Sequence, residues 1–295
     1  MPNVINYAEA FERQIEQQYQ RELTSKDFDL NKKYKFINAK TVNVPTLALS
    51  GYKDHARDGS KNRGTLTNTF TPYALEHDRD IEFFVDDADV DETNQALSAA
   101  NITATFNEEQ AIPETDAYRY SKLFTDFAAA GGVAVTTAMT VDNILGLIDA
   151  EVEKMDEAGV PLEGRKMKVT PEVDRLIKNA KEMARYMNVN ANNGAIDRRI
   201  KMLDTIEIHV VPSARMMTAY DWTEGFVPAV GAKQINFILY HNSAIIAPLK
   251  ISDIYLWMKG SSPESAFGNL YQNRSFQDCF LITPKKAGVA FHTAA

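Results

Sequence analysis

His77-Asp78-Arg79-Asp80-Ile81-Glu82-Phe83-Phe84-Val85-Asp86-Asp87-Ala88-Asp89-Val90-Asp91-Glu92-Thr93, followed by Gln110-Ala111-Ile112-Pro113-Glu114-Thr115-Asp116-Ala117-Tyr118-Arg119, decides the fold. Residues 81–85 are β-branched and aromatic, the composition of a strand. Asp91-Glu92-Thr93 then supplies capping groups and first-turn negative charge, and Ala, Leu, Glu and Gln dominate residues 94–130. That is the longest helical signal in the chain. Pro113 lies inside it, so the sequence predicts a kink, or one helix ending at Ala111 and a second beginning at Pro113. Gly131-Gly132 closes the segment.

Charge is unevenly placed around this stretch. Residues 76–116 hold 13 Asp/Glu against Arg79 alone, whereas residues 21–63 hold 10 Lys/Arg against 5 Asp/Glu. Two solvated faces would account for both blocks. The sharper reading is a basic arm on one subunit lying across an acidic stripe on its neighbour, where complementary fields fix register. The whole chain, 295 residues with a formal charge of −8, does not have the balance of a nucleic-acid binder. Its single Cys279 excludes an intrachain disulfide and a thiol zinc cluster, and fits a reducing compartment. The opening residues lack the regions of a signal peptide, and no apolar run reaches membrane-spanning length, so synthesis in a cytoplasm is expected.

Working towards the N-terminus, Tyr7, Phe11, Ile15, Tyr19 and Leu23 recur at every fourth position, which predicts an amphipathic helix over 7–23. A helix of that length is marginal alone and needs a surface to lie on. Residues 34–49 switch to extended spacing. Residues 51–64 carry Lys53, His55, Arg57, Lys61 and Arg63 and no large aliphatic side chain. With the Thr-rich alternation of 65–73, this predicts a long hairpin whose polar tip projects, since it cannot pack a core of its own.

Beyond the long helix the chain alternates. Helices are expected over 141–158 and from a Thr170 N-cap with Pro171 at the first helical position to about Tyr186, followed by an Asn-rich loop over 188–194. Strands are expected at 166–169, 206–211, 235–239, 244–249 and 254–257, and a final hairpin from 276–282 with 288–291. The fold class is mixed α+β.

The search for chemistry finds none. Asp87, Asp89 and Asp91 begin like a calcium loop, but its sixth and twelfth positions hold Glu92 and Ser98 instead of glycine and a carboxylate. The five histidines make no HExxH or HxH pair, and His209 reads as a structural histidine in a strand. No nucleophile elbow, Walker or dinucleotide glycine pattern is present, and Cys279 reads as core. No catalytic residue, cofactor or metal site is assigned.

Set in order, several phrases resemble the major capsid proteins of tailed bacteriophages, which share the Hong Kong 97-type fold. They are Asn38-Ala39-Lys40, Ser50-Gly51-Tyr52, residues 79–92, residues 113–122, Val210-Val211-Pro212-Ser213, residues 233–244 and the closing segment 271–291. The resemblance implies an N-terminal arm over 1–35 and an extended E-loop hairpin over 36–80. It implies a peripheral domain with a spine helix over 81–134 and 269–295, and an axial α/β domain over 135–268. It also implies pentamers and hexamers of the chain itself, forming an icosahedral shell in a virion around double-stranded DNA contacted non-specifically. Assembly in the host bacterial cytoplasm, a separate scaffolding protein, a portal and decoration proteins come with the same likeness, and no membrane or cofactor does. Some relatives cross-link a lysine of this hairpin to a neighbour's asparagine; Lys53 and Lys61 lie in the right region, but nothing in the sequence supplies the acid catalyst such a reaction needs. The residues placed at the assembly interface are Phe11, Ile15 and Tyr19 on the arm, Lys53, Arg57, Lys61 and Arg63 on the hairpin, and Asp78, Asp80, Glu82 and Asp116 on the acidic stripe. An encapsulin-like nanocompartment shell is the neighbouring alternative, and a metal-dependent hydrolase using residues 86–92 is the alternative from another class.

Overall fold

The computed structural model of the chain describes residues 23–31, 34–38, 40–55, 62–86, 105–180, 200–261, 263–265 and 267–295. The arm stripe Phe11, Ile15 and Tyr19, the tip residues Arg57 and Lys61, the carboxylates 87–92 and the Asn-rich loop lie outside them.

The chain enters through a 3-10 turn, Lys26–Leu30, and a short strand β1, Lys35–Phe36. Strands β2, Thr41–Leu49, and β3, Leu66–Ala74, form the expected hairpin, paired from Thr41 with Ala74 to Leu49 with Leu66. Its base is held in a small core where Val42, Val44 and Leu75 meet Ile246, Phe276, Phe280 and Ile282. Strand β4, His77–Asp86, follows at once.

A π-type turn, Asn107–Ala111, runs directly into helix α1, Ile112–Ala129. The change from π turn to α-helix falls within a residue of the boundary expected between Ala111 and Pro113, and the backbone stays helical across it. Pro113 sits in the first turn of α1, and the carbonyl it cannot serve lies inside the wider π turn. At the other end Gly131 takes φ +77°, which lets the Gly131 N–H reach the Ala128 carbonyl and the Gly132 N–H that of Phe127, both at 2.9 Å.

Helix α2, Ile144–Glu157, strand β5, Arg165–Val169, and helix α3, Pro171–Asn179, come next. Thr170 occupies the N-cap position, but its hydroxyl makes no capping bond and is buried without a partner. Helix α3 stops at Asn179, short of the expected end near Tyr186, because Ala180 turns to extended backbone with ψ 134°. Strands β6, Met202–Leu203, β7, Ile206–Val210, β8, Tyr220–Asp221, β9, Val227–Pro228, and β10, Ile235–His241, follow. The strand expected over 244–249 shrinks to β11, Ile245–Ile246, since Pro248 has no N–H for a ladder and the chain beyond it joins another sheet. That continuation is β12, Leu249–Trp257, then β13, Gly268–Gln277, β14, Phe280–Leu281, and β15, Val289–Thr293.

Two sheets organise these strands. The larger runs β15-β10-β5-β7-β6, with β5 and β7 parallel and the remaining pairs antiparallel. Strand β10, flanked by β15 and β5, is buried on both faces, which fits the apolar run Phe237–Tyr240 within it. Phe237 and Leu239 face α2 and α3, whereas Ile238 and Tyr240 join the cluster that holds Tyr120, Leu123 and Phe127 of α1. The second sheet is β12-β13-β4, with β4 paired to β13 from His77 with Gln277 to Asp86 with Gly268.

The expected C-terminal hairpin is not formed. Between its halves lies a 3-10 segment, Thr283–Gly288, with Pro284 in its first turn, and this redirects the chain. Strand β14 pairs with β11 and β15 with β10, so the two stretches serve different sheets.

Candidate assembly interface

Past its anchored base, the β2–β3 ribbon has no layer behind it among the described residues. Register places Pro45 opposite Phe70, Leu47 opposite Asn68 and Leu49 opposite Leu66 on one face, with Thr46, Ala48, Thr67 and Thr69 on the other. Leu47, Leu49, Leu66 and Phe70 are 60%, 66%, 67% and 56% exposed. Four large apolar side chains aligned on one side of a ribbon form a contiguous sticky strip, of the kind that marks a protein contact. Lys53 and Arg63 flank the tip and are exposed, and Asn62 Nδ2 donates to the Asp54 carbonyl at 2.7 Å to brace it.

The acidic residues of β4 alternate as the strand period requires. Asp78, Asp80, Glu82 and Phe84 face outward, and Arg79, Ile81 and Phe83 face the groove behind. Opposite them on the outer face stand Arg274 and Gln272 of β13 and Asp253, Tyr255 and Trp257 of β12. Arg274 holds Asp78 at two points, Nε to Oδ1 at 3.0 Å and Nη2 to Oδ2 at 2.7 Å, and that bond keeps the Asp78 carboxyl below its ordinary range. Gln272 Nε2 donates to Glu82 at 2.7 Å. The outer face is thus acidic along β4 and aromatic towards β12, where Tyr255 stacks on Trp257.

Asp116 does not belong to this face. It is fully buried, and within the chain it accepts from the Thr24 N–H at 3.1 Å, the Thr24 hydroxyl at 2.6 Å, the Ser25 N–H at 2.9 Å and Arg215 Nη1 at 3.0 Å. A carboxylate so surrounded has no acceptor capacity for a neighbouring subunit, so it leaves the acidic stripe.

It belongs instead to a node that sequence reasoning missed, the root from which residues 1–22 depart. Arg119 Nη1 reaches the Ser25 carbonyl and hydroxyl, and Arg119 Nη2 lies 3.2 Å from Asp29 Oδ1 and Gln277 Oε1. Asp27 meets Lys168 at 2.8 Å and Lys166 at 3.1 Å. Burial pushes the Asp27 carboxyl up, but the two lysines together outweigh it and hold it below its ordinary value. Burial also pulls the Lys168 ammonium down, against the pull of Asp27. His209 Nε2 stands 3.5 Å from Asp27 and 3.6 Å from Glu207, a structural position in β7. Phe28, 1% exposed, fills the centre edge-on to Tyr120 and Tyr240. The sequence signals this node only through the cluster Thr24-Ser25-Lys26-Asp27, which by itself is no more than a polar break after the stripe ending at Leu23.

A third region lies beneath the second sheet. His77 stacks on Tyr118 with ring centroids 3.7 Å apart, and burial first, then Arg79, pushes its imidazole down to about 4. Arg79 Nε donates to Glu114 at 2.8 Å, while burial raises the Glu114 carboxyl. Cys279 is fully buried, and burial pushes its thiol up, away from nucleophilic reactivity. Among the described residues no group of three or more His, Cys, Asp or Glu could hold a metal ion, and no helix is long and apolar enough to cross a membrane.

No family model matches the sequence, and no curated protein matches it. Solved structures do. The asymmetric unit of the bacteriophage PhiM1 mature capsid matches with a TM-score of 0.60 at 15% identity, over 87% of this chain and 82% of that one. The capsid of cyanophage P-SCSP1u matches with a TM-score of 0.57 at 12% identity, over 90% and 87%. The capsid of Myoviridae phage XM1 matches with a TM-score of 0.55 at 10% identity, over 92% and 91%. The chain has the Hong Kong 97-type capsid fold. Likeness at this identity establishes the architecture, and the hairpin, the two-sheet frame and the long helix are its parts.

Proposed function

We propose that this chain is the major capsid protein of a tailed bacteriophage. It assembles as pentamers and hexamers into an icosahedral shell enclosing double-stranded DNA, and it acts structurally, without catalysis. The observation that carries this reading is the projecting β2–β3 ribbon, whose apolar strip is more than half exposed among the described residues, on a chain with the phage-capsid fold. A monomer gains nothing by exposing such a strip, whereas a shell subunit needs it.

In this reading residues 1–35 are the arm, 36–80 the extended loop, 81–134 and 269–295 the peripheral part and 135–268 the axial part, with β15 belonging by its pairing to the axial sheet. Lys53, Arg57, Lys61 and Arg63 of one subunit meet Asp78, Asp80 and Glu82 of the next. Phe11, Ile15 and Tyr19 clasp a neighbour. A separate scaffolding protein, a portal and decoration proteins complete the particle, which is built in the host cytoplasm.

Negative-stain microscopy of the purified protein tests the reading, together with nuclease-protected DNA in particles from infected cells. Closed shells with protected DNA are expected. Particles filled with protein and free of DNA would point to a nanocompartment, and a protein that never assembles would end the proposal.

A further inference from the structure

Behind the inner face of the second sheet runs a groove of about 830 Å³. Ile81, Phe83 and Ile254 of the sheet and Phe106, just before the π turn, give it apolar walls. Lys26, Arg79, Glu114 and Glu224 are among the charged groups that also line it. Leu23 lines it as well and is 8% exposed.

Leu23 is the fifth member of the stripe Tyr7, Phe11, Ile15, Tyr19, Leu23, and the first residue after the 22 that precede the described structure. One end of the stripe is therefore already seated in the groove, and the anchored root at Thr24, Ser25 and Asp27 fixes where the rest departs. No linker separates the stripe from the groove, so its effective concentration there exceeds that of the same stripe on another molecule. A helix over 7–22 is about 24 Å long and is marginal in water unless its apolar side is covered.

We propose that in the unassembled subunit the groove is filled in cis by residues 7–22, with Tyr7, Phe11, Ile15 and Tyr19 against Ile81, Phe83, Phe106 and Ile254. This deepens the shell reading and rests on it. The stripe that clasps a neighbour is held on its own subunit until assembly, which keeps free subunits from joining at random.

Cross-linking decides it, because the chain's single cysteine, Cys279, is fully buried and leaves a quiet background. The full chain carrying Ile15→Cys and Ile254→Cys is treated with a short bis-maleimide at concentrations where it sediments as a monomer. A 15–254 link within one chain, in a yield independent of dilution, is the expected result. Links only between chains would overturn the proposal in favour of a swapped arm. Both thiols reacting with a monofunctional maleimide but not with each other would overturn it in favour of another occupant. If that pair does not fold, Tyr19→Cys with Ile81→Cys serves the same test. Wild-type shells seen alongside a missing intrachain link would remove this inference and leave the shell reading standing, whereas absence of shells would remove the shell reading itself.

Discussion

The backbone N–H of Ser25 donates to Asp116 Oδ1 at 2.9 Å, joining positions 91 residues apart. Thr24 and Arg215 occupy the other oxygen of the same carboxylate. Asp116→Ala leaves the Arg215 charge and two backbone-segment donors without their acceptor. Breaking a buried pair of this kind costs about 3 kcal/mol or more. The expected outcome is a lower urea midpoint with unchanged slope, and faster proteolysis at residues 23–31. An unchanged midpoint would show that the root is held by the Asp27 and Arg119 contacts alone.

His77 gives the subunit a pH dependence with a definite sign. Its folded pKa of about 4 lies below the unfolded value of 6.5, so between those values the unfolded chain binds the proton more tightly. Stability from this group is full above pH 6.5 and is lost as pH falls towards 4. The change amounts to roughly 3 kcal/mol at about 1.4 kcal/mol per pH unit. Urea unfolding across this range should show the slope, and His77→Phe, which keeps the stack on Tyr118, should flatten it. A slope that persists in the variant would assign the effect to another group.

Charge reversal at the hairpin tests the pairing between subunits. Lys53→Glu with Arg63→Glu should slow shell formation several-fold in low salt while the subunit's melting stays as it was. Exposed pairs add little energy but steer encounter, and salt beyond about 0.1 M screens them over ~10 Å, so added salt should narrow the gap to wild type. Light scattering during assembly measures both. Equal rates at every salt concentration would place the tip away from the acidic face.

The ribbon should also distinguish free from assembled protein. Limited proteolysis is expected to cut near Lys53, Arg57 or Lys61 in free subunits and not in shells. A second pair of changes, Leu47→Ser with Phe70→Ser, should leave the subunit folded and assembly impaired, because both side chains are more than half exposed among the described residues. Shells forming normally from that variant would show that the apolar strip is not a contact.

The arm stripe makes the last test. Changing Phe11, Ile15 and Tyr19 together to Ser removes apolar area worth several kcal/mol at about 25 cal/mol per Å², and should yield folded subunits that do not close into shells. Sedimentation velocity distinguishes the two states.

Strands and hairpin were legible in the sequence because period-2 alternation and a polar tip are local signals. The stretch 235–239 announced a strand, and the glycine pair 131–132 announced the helix end. What stayed hidden depends on distant partners. Nothing next to Asp116 says that Thr24, Ser25 and Arg215 will surround it, so an acidic residue among acidic residues reads as surface. Strand β15 reads as half of a hairpin because its pairing to β10 is set by the sheet and not by its neighbours. Thr170 shows the limit from the other side: the residue type and position are those of a cap, yet tertiary packing buries the hydroxyl with no bond to make.

The pairing of β4 with β13, from His77 with Gln277 onwards, has a temporal consequence. Contacts between segments so far apart close late, because the loop-closure entropy must be met before the ladder forms. While a ribosome is still making residues beyond 260, β4 has no partner, and the ribbon emerging from it has no fixed platform. The sheet that carries the acidic strand is therefore completed only once residues 268–277 have been made. Translation itself thus sets the order in which this sheet can close, its edge strand waiting on the last tenth of the chain.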